Sequence, residues 1–154
     1  MRFTVLAVLL LSCTTSPDDT SEITYDVCAP ITLSASHADQ LQLSGIAGAM
    51  QLWAARGASR LTLASPSSIE LRFEDAALVF HGCYDDHASV VYINQSITDP
   101  DTLSIVIAHE LGHAFGLRHV DPHERRSLMN PGNLTVPPSD ADRQALEALW
   151  GPCR

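Results

Sequence analysis

Apolar residues recur along this chain with two different periods. From Leu43 onward the positions Leu43, Ile46, Ala47, Met50, Trp53 and Ala54 return at three- and four-residue spacing, which marks one buried stripe of a helix. Ser36, with Asp39 three residues on, offers a capping-box-like start, and Gly57 offers a stop. Residues 23–33, rich in Ile, Thr, Tyr and Val, read as a strand that Pro30 bends or places at an edge. Residues 61–63, 69–73, 78–80 and 90–93 are four further strand-like runs, the last two separated by the polar stretch Tyr84-Asp85-Asp86-His87. In the second of them Ile69, Leu71 and Phe73 alternate with Glu70 and Arg72, so one face is buried.

Two more helices follow. Asp99-Pro100 combines an N-cap acid with proline at the first helical position. The helix it opens carries Leu103, Val106 and Ile107 and is expected to end at Gly116. The last helix starts at Ser139 or Asp140, shows Leu146, Leu149 and Trp150 on one face, and stops at Gly151-Pro152. The order of elements predicts an α/β fold: a single twisted mixed sheet covered by three helices.

The N-terminus is a different material. One positive charge at Met1-Arg2 precedes nine almost wholly apolar residues, 3–11, the length of a signal-peptide core and about half of a membrane span. The run ends in Leu10-Leu11-Ser12-Cys13, which resembles the bacterial lipobox, with Cys13 as the lipidated residue. An ordinary secretory signal is the alternative, and either reading exports the chain. Residues 13–22 are polar, contain Pro17, and read as a tether. The expected organisation is a signal at 1–12, a lipidated linker at 13–22 and a domain at 23–154, attached to the membrane through its N-terminus alone.

Composition narrows the chemistry. A length of 154 residues suits one domain. The net charge is −9 and all nine basic residues are arginines. The absence of lysine excludes Schiff-base chemistry, and the absence of a basic footprint speaks against nucleic-acid binding. In an exported chain Cys28, Cys83 and Cys153 imply one disulfide and one odd thiol. Cys28 with Cys153 would tie the ends of the domain together, with Cys83 as the alternative partner.

The segment with chemistry is His109-Glu110-Leu111-Gly112-His113-Ala114-Phe115-Gly116-Leu117-Arg118-His119. On a helix His109 and His113 lie one turn apart and can converge on one ion. Gly116 permits the left-handed turn that swings His119 back as a third ligand. Three neutral imidazoles leave a zinc ion one open position, the mark of a catalytic site, and Glu110 is placed to act as its general base.

This pattern, HExxHxxGxxH, with Met129 ten residues after His119 in Ser127-Leu128-Met129-Asn130-Pro131, resembles the metzincin metalloproteases. Within that clan the run from His109 to Leu117, the closing Ala148-Leu149-Trp150-Gly151 and the earlier Gln51-Leu52-Trp53 look most like the matrixins. The resemblance implies a zincin-like α+β domain whose active-site helix is followed by a methionine turn at Met129 and a C-terminal helix. It implies a zinc-dependent endopeptidase, expected to be monomeric, with a peptide bound antiparallel along the exposed sheet edge near residues 78–82. The pocket beyond the metal would be walled by residues 130–136. Matrixins carry further zinc or calcium ions, but the spacing of His81, Asp85, Asp86 and His87 favours a solvated loop. The competing class is a non-catalytic zinc-binding surface lipoprotein on the same fold. Such proteins usually lose the glutamate or a ligand, and here all four residues stand.

Overall fold

The computed structural model describes residues 23–153. Its strands in chain order are β1 (Ile31–Ser34), β2 (Leu61–Leu63), β3 (Ile69–Glu74), β4 (Gly82–Asp85) and β5 (Val90–Asn94). The helices are α1 (Gln40–Ala54), α2 (Pro100–Ala114) and α3 (Asp140–Trp150). The strands form one sheet in the order β2-β1-β3-β5-β4, in which only β4 is antiparallel to its neighbour. The fold is therefore the expected α/β one, a mixed sheet with three helices.

Local chemistry explains most of these elements. Asp99 caps α2, its side chain accepting from Thr102 N–H at 2.8 Å, with Pro100 in the first turn. Ser139 caps α3 in a reciprocal capping box with Asp142. Helices α1 and α2 pack closely because their facing residues are small. A Cβ at Gly45 would lie 2.7 Å from the Leu103 side chain, and one at Gly48 would collide with Ser104 Oγ. At the far end of the pair Trp53 donates its indole N–H to Ala108 O at 2.8 Å and meets Phe115 edge-on at 5.5 Å. Burial of Trp53, Phe115, Ile46 and Leu111 makes this seam the centre of the core.

Several expectations need correction. Only residues 31–34 of the run 23–33 form a strand. The earlier part has other partners: Tyr25 N–H donates to Ala114 O at 2.8 Å and Cys28 N–H to Asp26 Oδ1 at 2.8 Å. The Tyr25 hydroxyl engages Ser68 O and Ser89 Oγ at 2.7 and 2.8 Å. Helix α1 starts from Asp39, not Ser36, because Gln42 completes a capping box with it. Residues 78–80 are not a strand. The sheet edge next to this segment is β4, which takes in Tyr84 and Asp85 of the stretch expected to be a loop, while β2 forms the opposite edge. On α3 Leu146 is buried and the Trp150 indole donates to Phe115 O at 2.8 Å, but Leu149 faces solvent. The Cys28–Cys153 disulfide is present, with a Cα–Cα distance of 5.0 Å. Cys83 is buried and no described cysteine is free, so the odd thiol is absent. Cys13, the signal run and the tether lie outside the described residues.

Candidate metal centre

Helix α2 runs through the core, and its last two turns carry His109, Glu110 and His113. The helix ends in a Schellman turn. Leu117 N–H donates to Gly112 O and Gly116 N–H to His113 O, both at 2.9 Å. Gly116 has φ +92°, a left-handed value that strains any residue with a Cβ. The turn does more than reverse the chain, because Leu117 O also accepts from His113 Nδ1 at 2.9 Å. Beyond it the chain returns to place His119 against the other two histidines.

The methionine turn supports the arrangement from below. Leu128 O accepts from His109 Nδ1 at 2.7 Å. Met129 is buried beneath α2, where a Cβ on Gly112 would lie 2.5 Å from its sulfur. Val120, next to His119, donates its N–H to Met129 O at 2.9 Å. Asn130 joins the same strap: its Nδ2 donates to Val120 O and Arg125 O at 2.9 and 3.0 Å, and its Oδ1 accepts from Ser127 N–H. Asp142 of α3 is buried and holds the turn from the other side. It accepts from Ser127 Oγ at 2.5 Å and from Leu128 N–H at 3.4 Å, with Arg125 at 3.6 Å. Burial alone would raise the Asp142 carboxyl, yet the hydroxyls of Ser127 and Ser139 and the N–H groups of Ser139 and Leu128 hold it below the usual carboxylate value.

The nitrogens meet in one place. His119 Nε2 stands 3.2 Å from Nε2 of His109 and 3.2 Å from Nε2 of His113. With Nδ1 of His109 and His113 each donating to a carbonyl, both rings present bare lone pairs at Nε2. His119 Nε2 can donate to only one of them, so at least one of these two lone pairs finds no donor within the triad. A cation satisfies that arrangement. Tetrahedral zinc with bonds of roughly 2.0–2.1 Å spaces its ligands about 3.3 Å apart, close to the two separations that His119 makes. Burial also keeps the rings unprotonated, pushing His109 down to about 4 and His113 down to about 3. Among the described residues this is the one group of three or more His, Cys, Asp or Glu side chains close enough to share an ion. Asp85 instead closes a turn, accepting from the His87 and Ala88 N–H groups at 3.0 Å.

Glu110 lies in the same cleft, a cavity of about 200 Å³ lined also by His109, His119, Val106, Gly82 and Asn133. Burial pushes its carboxyl up to about 8, against the opposing pull of the Tyr84 backbone N–H. Strand β4 can pass this close because Gly82 is small: a Cβ there would lie 2.9 Å from Glu110 Cγ.

The histidines, Glu110, Gly116 and Met129 were all legible from the motif. The supporting side chains of Ser127, Asn130, Asn133 and Asp142 were not. The one local signal was the Ser139-x-x-Asp142 spacing, which marks a helix cap and says nothing of the turn that Asp142 also holds.

A comparison with curated proteins finds no match. Solved structures do show the same fold. A crystal structure of myroilysin superposes with TM-score 0.62 at 12% identity, covering 84% of this chain and 86% of that one. A second structure of myroilysin gives TM-score 0.59 at 12% identity, covering 82% and 95%. The model of the reprolysin-like metallopeptidase family M12B matches residues 25–120, more than half of the chain and the whole span from Tyr25 past the third histidine. The chain belongs to the reprolysin-like M12B metallopeptidases.

Proposed function

We propose that this protein is a zinc-dependent endopeptidase in which His109, His113 and His119 hold the metal and Glu110 is the general base. The observation that carries the reading is the convergence of three Nε2 atoms, two of them with tautomers fixed by backbone carbonyls. When bound, zinc supplies Lewis acidity to water and to a peptide carbonyl. The chain does the rest. Leu128 O and Leu117 O hold two rings in position, so no reorganisation is needed as the ion enters. Burial raises the proton affinity of Glu110, and a cation held by the adjacent histidines would favour its ionised form, so that it can take a proton from the attacking water and return it to the leaving nitrogen.

Strand β4 is the sheet edge beside the cleft, with β5 on one side only. A substrate peptide would add to its open side as an antiparallel strand, held by main-chain groups. The alternative of a non-catalytic zinc protein has no comparable support, since Glu110 and every ligand are present. Export rests on the sequence of residues 1–13, one positive charge followed by an apolar run. The matrixin-like closing run at Ala148–Gly151 stays a likeness of one helix and assigns no branch.

Cleavage of casein or a quenched peptide by the purified protein tests the reading. Activity should vanish with a chelator and return with zinc. A zinc-loaded protein that cleaves no peptide contradicts it.

A further inference from the structure

The loop between β3 and β4 exposes what a small acidic protein ordinarily hides. Leu78 and Val79 are 82% and 89% exposed, the two most exposed large hydrophobic residues among those described. Lone apolar residues on a surface need no explanation; two adjacent ones at the tip of a rigid turn do. The turn is held by a dedicated residue. Asn94, 1% exposed, donates from Nδ2 to Phe80 O at 2.8 Å and Ala77 O at 3.2 Å, with Ala76 O at 3.4 Å. Phe80 N–H closes the turn onto Ala77 O at 2.9 Å. Gln95 Nε2 fastens the start of the loop through Asp75 Oδ1 at 2.6 Å. The pair is therefore presented on a fixed backbone.

Its place in the cleft says to what. Val79 and Phe80 line the same cavity as His109, Glu110 and His119. Glu110 sits against Gly82, the first residue of β4. A peptide antiparallel to β4 with its reacting carbonyl over Glu110 runs opposite to the chain. Its residues after the cleaved bond then lie beside the residues that precede Gly82.

We propose that Leu78 and Val79 form a specificity surface for a large apolar side chain at the second or third position after the cleaved bond. This rests on the reading of β4 as the substrate edge. The occupant is an extended peptide segment, and the exposed pair completes an apolar contact only when that segment is in place.

The test compares two quenched peptides that differ at that position alone, leucine against serine, cleaved by the zinc-loaded wild-type protein and by L78S/V79S. The wild type should favour the leucine peptide, and the double variant should reduce the ratio of kcat/KM values by on the order of tenfold. A ratio is used because damage to the fold or metal site lowers both rates together. V79I, which keeps the apolar surface, should retain the preference. Peptide binding to the Glu110→Gln protein, read by fluorescence anisotropy, reports the same preference without turnover. A protein that binds with this preference and cleaves neither peptide would fail the endopeptidase reading and leave the surface standing. An unchanged ratio in L78S/V79S overturns the proposal. It would assign the pair to another occupant, such as residues 1–22 of the chain or a phospholipid vesicle whose binding the double variant loses.

Discussion

Below the three histidines Ser127, Leu128, Met129 and Asn130 are all buried, and Asn130 and Asn133 direct their side chains into backbone carbonyls. Above them the cleft is bounded by an open strand edge and by Val79, which stands in solvent beside Leu78. The lower wall fixes ring positions: Leu128 O accepts from His109 Nδ1 at 2.7 Å and from Asn133 Nδ2 at 3.0 Å, so one carbonyl joins the first histidine to the loop that follows the methionine turn. The upper wall has a strand with a neighbouring strand on one side only and an exposed apolar pair. One wall is built to hold an ion, the other to accept a chain. Mutations of similar size should therefore have very different consequences on the two sides.

The largest effect is expected where the walls meet. Glu110→Gln keeps the shape of the side chain and removes the base, so kcat/KM should fall by about 10²–10⁴-fold with zinc content unchanged, as kinetics paired with metal analysis would show. Next comes the lower wall itself. Leu128→Ala removes a fully buried side chain and should cost about 2–5 kcal/mol of stability, measured by denaturant unfolding.

Asp142→Asn is expected to cost less, about 1.5–3 kcal/mol, for weakened bonds to Ser127 and Leu128. It carries a pH signature as well. Because the folded-state carboxyl lies below its ordinary value of 3.8, its contribution is complete above that pH and is lost as pH falls through the lower folded value. Melting temperatures measured downward from pH 5 should show acid destabilisation in the wild type that is reduced in Asp142→Asn. The smallest effect belongs to the upper wall: Leu78→Ala should change stability by no more than about 0.5 kcal/mol. A loss there comparable to that of Leu128→Ala would break the contrast between the walls.

The same contrast explains what could be read from the sequence. Features set by neighbours along the chain were legible: the Asp99-Pro100 start of α2, the Ser139 cap, the turn at Gly116 and the one-turn spacing of His109 and His113. Features set by distant partners were not. Residues 23–30 have strand-like composition, but Tyr25 finds its partners at Ala114, Ser68 and Ser89. The run 78–80 is apolar enough for a buried strand, yet Asn94 ties it into a turn from fourteen or more residues away. The true edge strand, Gly-Cys-Tyr-Asp, has little strand signal, and Gly82 is there because Glu110 needs the space. The Ser139 start of α3 is set locally, whereas the task of Asp142 under the methionine turn depends on a contact across fifteen residues.

The proposed activity depends on three imidazoles sharing one ion. Metal analysis of the purified protein after dialysis tests this most directly, with His119→Ala as the comparison. The expected result is one zinc per wild-type chain and a sharp loss of retained zinc in the variant. A wild-type protein that retains no zinc, or a variant that retains a full equivalent, would contradict it.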